Sequence, residues 1–423
     1  MLRMGPLPLP EGRGRFLALF VRDSWQRLRR LILAPRQALL VVVFVVTTGM
    51  GMVWSILAVY ATSLGASTAM VGLIFAMFGG SRLAVSLPAG IASERFGRRK
   101  LMVTGLVFLG ASSLIAMAVT SVPLLVLTLV GQGIGQAVYV TTAMAAIADL
   151  STPEGRVRDM AAFQGASTIG ISLGPGIGGL AAGAWGYDAP FLLQGALALV
   201  ALILLLCIVK PDGGRSGAKP RAVAAAGHLR PRRRAMAVLA LLTYGVFFTR
   251  VGANWVLLPL IAQQKLGMSL TGIGVVLTVG ALANLLVLPA ANKVAKRFGR
   301  LSAIVVSTVM TLAGLFLLGD ASGVVLAWLG AILLGLATGL AAPILSAYAI
   351  DAAPEGGTGA ALGMLRTVID LAIITGPAVI GAIVDQLAMG YSTGLWFCGV
   401  LLGAATLIFR LLHRAAPPHP PES

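Results

Sequence analysis

Twelve long apolar runs, separated by short polar punctuation, make up almost the whole of this chain. They lie near residues 37–63, 69–92, 101–119, 123–148, 160–185, 189–209, 236–262, 270–292, 301–319, 324–349, 361–385 and 391–412. At 1.5 Å rise per residue, about 20 apolar residues cross the hydrocarbon layer of a bilayer as a helix. The runs are too long for barrel strands, and polar and apolar positions do not alternate within them, which excludes a membrane β-barrel. A polar break at 210–235 leaves six runs on either side. The pattern predicts an all-α integral membrane protein with twelve transmembrane helices in two sets of six.

The two sets are copies. Arg95-Phe96-Gly97-Arg98 returns 202 residues later as Arg297-Phe298-Gly299-Arg300. At the same offset Asp149 returns as Asp351, Gly174-Pro175 as Gly376-Pro377, and Leu64-Gly65 as Leu266-Gly267. A parallel repeat of membrane helices is one way in which secondary transporters are built.

Composition sharpens the picture. Hydrophobic residues are 58% of the chain and charged residues 11%, against about 25% charged in soluble domains. The net charge of +18 would suit a nucleic-acid partner, but its placement argues for none. Eight Lys and Arg precede the first run and eight fall in the central break. Others follow runs 2, 4, 8, 10 and 12, all on one side of the membrane if both termini share it. The opposite loops hold Lys265 alone. Retention of positive charge on the cytoplasmic side places both termini there, in a bacterial-type inner (plasma) membrane.

Outside the runs, residues 1–36 read as a Pro-rich start and then a basic amphipathic helix on the inner leaflet, with Phe16, Leu17, Phe20, Val21, Trp25 and Leu28 at helical spacing. The domain reading is a basic segment 1–36, bundles 37–209 and 236–413, a cytoplasmic linker 210–235 and a disordered tail 414–423. Cys207 and Cys398 sit inside runs, so no disulfide framework is expected. His228, His413 and His419 lie in polar or terminal segments, and neither a metal site, a cofactor nor a catalytic triad is expected.

The segment from Gly90 through Glu94, Arg95 and Gly97 to Arg98 closely resembles the loop 2–3 motif of the major facilitator superfamily. That resemblance implies a fold of two pseudo-symmetric six-helix bundles. It also implies a cytoplasmic gate latch formed by Gly90, Glu94, Arg95, Gly97 and Arg98, with Asp149 of the loop after run 4. Lys296 replaces the acid in the second copy, so the latch is expected to be asymmetric. Run 5 carries Gly170, Gly174, Pro175, Gly178 and Gly179, matching the run 5 motif of the superfamily's drug and metabolite antiporters. Gly170, Gly174 and Gly178 share one helix face and permit close backbone approach. They are expected to let run 5 touch run 8. Two groups of those antiporters are missing: the Arg position in run 4 is Gly131, and run 1 lacks an acid.

Deep ionisable residues are costly in a bilayer and mark a cavity or a partner. Arg82 in run 2 and Asp370 in run 11 lie at matched depth, and the resemblance makes these runs neighbours across the halves. They are expected to pair, with Asp370, the acid well inside the hydrocarbon, coupling transport to protons. Arg250 lies nearer the midplane, where substrate sites are expected. Asn254, Trp255, Asn284, Gln132, Gln136, Tyr139, Gln164 and Tyr348 are candidates to line a small-molecule cavity. The resulting expectation is a monomeric proton-coupled exporter in contact with membrane lipid. Uptake or exchange of an organic anion and a non-transporting sensor are the alternatives.

Overall fold

A computed structural model describes residues 35–152, 155–208, 233–353, 358–387 and 390–414. The amphipathic helix expected before residue 35, nearly all of the linker, and residues 415–423 of the tail lie outside the described residues. The first six helices are α1 (Pro35–Ser63), α2 (Thr68–Phe96), α3 (Arg98–Ala116), α4 (Val122–Leu150), α5 (Arg156–Trp185) and α6 (Ala189–Ile208). The seventh span, α7, runs from Arg233–Val251 through a π-helical turn at Gly252–Leu257 and Leu258–Leu260 to a second π-helical turn at Ile261–Lys265. Then follow α8 (Leu270–Phe298), α9 (Arg300–Gly319), α10 (Val324–Asp351), α11 (Thr358–Leu387) and α12 (Tyr391–Arg414). Eleven of these spans are long and apolar enough to cross a membrane. The twelfth, α5, has 30 residues and is diluted in hydropathy by its glycines.

The sequence repeat is a repeat of turn chemistry. Gly97 and Gly299 join α2 to α3 and α8 to α9 with φ of 96° and 83°. Gly65 and Gly267 end α1 and α7 with φ of 86° and 61°. These left-handed values favour a residue without Cβ. Ser67 and Ser269 then cap the next helices, accepting from the backbone N–H of Met70 and Gly272 at 3.3 and 3.2 Å.

Packing follows the same duplication. Within the first half α1 lies against α5 and α6, and α4 against α2 and α3; within the second, α7 lies against α11 and α12, and α10 against α8 and α9. The halves meet through two related seams, α2 against α11 and α5 against α8. We call the ends bearing Arg36, Arg98 and Arg300 the basic face and the opposite ends the far face.

Candidate functional site

The seams between the halves close only towards the far face. On α11, Gly381 abuts Thr68 and Pro377 abuts Gly72, while a Cβ on Gly79 of α2 would lie 2.9 Å from Ile374. Arg82 and Asp370 follow one turn further on. Gly363 lies two turns beyond Asp370 on the same face of α11, and among the described residues nothing lies within 4 Å of a Cβ built there. The α5–α8 seam behaves alike. A Cβ on Gly179 would lie 2.7 Å from Gly274 and Leu270, and one on Gly176 would lie 2.9 Å from Thr278. Gly165, three turns back on that face, meets nothing within 4 Å. The two halves therefore touch at the far face and part towards the basic face.

The glycine motif of α5 divides its contacts in a way that corrects the sequence expectation. Gly170 packs on Thr47 and Phe44, Gly174 on Gly51 and Thr48, and Gly178 on Met52, all of α1. This face is a seam inside the first half and does not touch α8. The face turned towards α8 carries Gly176, Gly179 and Gly183, with the Pro175 carbonyl directed at Gly274. The second half repeats the division: Gly376 faces Phe248 of α7, and the Pro377 carbonyl faces Gly72 of α2. In each Gly-Pro pair the glycine admits a helix of its own half, and the proline turns its carbonyl to the other half.

Arg82 donates from a terminal guanidinium nitrogen to Asp370 Oδ1, forming an ion pair across the halves. The two side chains are 13% and 15% exposed. Arg366, which the sequence placed only among basic-face charges, lies one turn away with Nε 3.6 Å from Asp370 Oδ2. Asp370 is thus set between two guanidinium groups. The pair stands where the closed seam gives way to the open cleft.

Between the halves lies a cavity of about 80 Å³. Its lining includes Gly51, Trp54 and Ser55 of α1, Pro175 of α5, Arg250, Asn254 and Trp255 of α7, Asn284 of α8, and Thr338 of α10. The Trp54 and Trp255 rings meet across the halves at 4.0 Å between centroids. The π-helical turn at Gly252–Leu257 carries Asn254 and Trp255. Pro259, which lacks a backbone N–H, is the physical reason for irregular bonding around it.

Other candidates lie elsewhere. Gln132, Gln136 and Tyr139 are buried inside the first half, where Gln136 Nε2 donates to the Met50 sulfur and Tyr139 backs onto Gly105. They do not line the cavity, because the small residues of α3 and α4 draw that face of α4 into the core. Gln164 is exposed on α5. Tyr348 sits at the basic face, beneath the Arg300 guanidinium at 5.7 Å and against Phe409. Trp54, Ser55 and Thr338 are cavity residues that the sequence analysis missed; among the many small polar and aromatic residues of the spans, nothing distinguishes them without the helix rotations.

At the basic face Arg98 donates to Asp149 at 3.0 Å and to Ser93, and Glu94 stands 4.0 Å from Arg98. Arg95 lies over the Phe96 ring. Gly90 approaches Thr141 of α4. The second half repeats the first arm as Arg300 with Asp351. The expected asymmetry therefore applies to the Glu94 arm; the Arg–Asp arm is symmetric. These pairs are half-exposed and tie helices within a half. Such pairs contribute about 0–1 kcal/mol, so their part is orientation more than stability.

At the far face Asp385 of α11 accepts from the backbone N–H groups of Thr68 and Ala69, at 3.2 and 2.7 Å. One half thus caps the first turn of a helix in the other, where a carboxylate also complements the helix dipole. Asp385→Ala should cost the far-closed arrangement about 1 kcal/mol, shifting its population roughly fivefold. Spin labels at Met70 and Val325 should then show a longer-distance population. An unchanged distance distribution would mean that the cap does not hold this face shut.

A helical membrane protein of two pseudo-symmetric six-helix halves, with a cavity between them that carries a few polar groups and a cleft to one face, has the architecture of a secondary transporter. The sequence profile of the Major Facilitator Superfamily matches residues 39–251 and 240–423, and the chain belongs to that family. Over 162 residues it is 33% identical to an uncharacterised MFS-type transporter of Methanocaldococcus jannaschii, covering 38% of this chain and 42% of that one. Over 168 residues it is 30% identical to multidrug resistance protein 2 of Bacillus subtilis, covering 40% and 42%. The quinolone resistance protein NorA of Staphylococcus aureus is 26% identical over 167 residues, covering 40% and 43%. The matches thus span about two fifths of the length of these curated relatives. Among solved structures, the nucleoside transporter NupG superposes with a TM-score of 0.75 at 14% identity, covering 90% of this chain and 100% of that one. A bacterial homologue of the lysosomal transporter Spinster, in an inward-facing and unoccupied conformation, gives 0.69 at 19% identity, covering 90% and 98%. At these identities the likeness is one of fold.

Proposed function

We propose that this protein is a proton-coupled exporter of drugs or small metabolites that works by alternating access. The observation that carries the reading is the Arg82–Asp370 pair, formed between the halves at the boundary of seam and cleft. Opening the far face requires the seams to part, and this pair lies in the path of that movement. A carboxylate that exchanges a guanidinium partner for a proton can link protonation to the choice of open face. The similarity to drug-resistance proteins supports efflux as the direction.

The same reading takes the basic face as cytoplasmic, on the charge asymmetry. The arrangement is then open to the cytoplasm, in a plasma membrane, with both termini inside and a monomer as the working unit. The latch residues Glu94, Arg95, Arg98 and Asp149 would close that face when the far face opens. Single cysteines at Lys100 and Asp320, in a background with Cys207 and Cys398 replaced, test the topology. A membrane-impermeant maleimide should modify the Asp320 site on intact cells and the Lys100 site only after permeabilisation. The reverse pattern would invert the topology. The function is tested in proteoliposomes, by transport of cationic, neutral and anionic compounds with and without an imposed pH gradient. Movement of none of them would sink the transporter reading.

A further inference from the structure

Among the described residues, Arg250 is the one formally charged residue lining the central cavity. It projects from α7, is only partly accessible, and has the Phe247 ring 5.9 Å away. Among the described residues it makes no ion pair: the deep acid Asp370 is engaged by Arg82 and Arg366, and the described lining of the cavity holds no carboxylate. The neighbouring amides are also unengaged. The side chains of Asn254 and Asn284, which line the same cavity, make no hydrogen bond among the described residues. Ser55 and Thr338 add two hydroxyls, and the rest of the described wall is small, aliphatic or aromatic, with Trp54, Trp255, Leu258 and Leu277.

A guanidinium held at membrane depth without a counter-charge is costly, and such groups are kept where a cavity or ligand supplies the compensation. Its planar fork matches a carboxylate, sulfonate or phosphate in two parallel hydrogen bonds. Two amides beside it add donors and acceptors for orientation, and the indoles provide a surface for a flat apolar body. A few convergent polar groups on an otherwise apolar wall are how small molecules are commonly bound. We infer that the transported substrate is an amphipathic organic anion, with one acidic group seated on Arg250 between Asn254 and Asn284 and an apolar, preferably aromatic, body against Trp54 and Trp255. This inference rests on the transporter reading and specifies its substrate class. A simple organic cation is disfavoured, because the described lining offers it no carboxylate and one repelling charge.

The experiment uses three probes of one shape: 1-naphthoate, 1-naphthamide and 1-naphthylmethylammonium. Binding to the purified full chain is followed by quenching of tryptophan fluorescence, and counterflow is measured in phosphatidylcholine vesicles that carry no anionic lipid. Naphthoate should bind and exchange best. Arg250→Gln should weaken it by about tenfold to a hundredfold, the range for losing a charge-assisted hydrogen bond, while Arg250→Lys recovers part of the affinity. Asn284→Ala serves as a second, milder variant with a smaller loss, and unchanged melting temperature in each variant certifies the fold. Transport of the amide or ammonium probe with Arg250→Gln indifferent would overturn the anion assignment and leave the transporter reading intact. Naphthoate binding that needs Arg250, without movement of any probe, would uphold the site while removing transport. Naphthoate binding that survives Arg250→Gln undiminished would overturn the inference outright.

Discussion

Asp370→Asn should abolish uphill transport while leaving gradient-independent exchange measurable. The substitution keeps the size of the side chain and removes the negative charge between Arg82 and Arg366. Breaking one partner of a largely buried pair leaves the other uncompensated, at a cost of about 3–5 kcal/mol. Because the pair spans the halves, most of that cost falls on the arrangement closed at the far face. Net accumulation in proteoliposomes should drop by roughly a hundredfold or to background, with counterflow reduced far less. Asp370→Glu should retain part of the activity, since the proton-accepting group survives. If Asp370→Asn accumulates substrate as well as the parent does, the carboxylate only fastens the seam. The proton route would then have to run through Glu94 or Asp149.

Gly179→Leu and Gly174→Leu should fail in different ways, although the two glycines stand five residues apart in one motif. Gly179 faces α8, where a Cβ would lie 2.7 Å from the Leu270 carbonyl and from Gly274 Cα. A leucine there pries the two halves apart and leaves each half intact. The protein should fold, lose transport nearly completely, and show increased far-face labelling at a cysteine replacing Thr271. Gly174 instead abuts the backbone of Thr48 and Gly51 within the first half. Without a hydrophobic driving force between helices in lipid, such close approach is what holds the pair together. Gly174→Leu should lower yield and melting temperature before it alters any conformational balance; overpacking of this kind costs about 1–3 kcal/mol or more. A well-folded Gly174→Leu protein locked open at the far face would show that the seams have been assigned to the wrong helices.

Much of the fold was legible because its causes are local. Membrane crossing depends on the length and polarity of a run, so twelve runs correspond to twelve helices with ends displaced by a few residues. The repeat was legible because Gly65, Gly97, Gly267 and Gly299 are required by positive φ, and backbone geometry depends on little beyond the residue itself. The Arg82–Asp370 pair followed from matched depth, counted along two helices, together with the resemblance that makes those helices neighbours. The cavity was half legible: Arg250, Asn254, Trp255 and Asn284 line it, whereas Gln132, Gln136 and Tyr139 are turned into the first half and Tyr348 lies at the basic face.

The remaining distinctions depend on helix rotation, which a run that is apolar on every side does not encode. In a soluble helix the polar stripe marks the outward face; in these spans lipid and protein interior are both apolar, so the stripe is absent. The sequence by itself therefore determined the number of helices, their duplication, the charged ends and the depth of each ionisable group. Which of two glycine faces on α5 meets α1 and which meets α8, that Asp385 caps α2 from the other half, and that the cleft opens at the basic face were decided by tertiary structure. They arise from packing between segments distant along the chain, where the fit of small residues sets each helix's angle about its own axis.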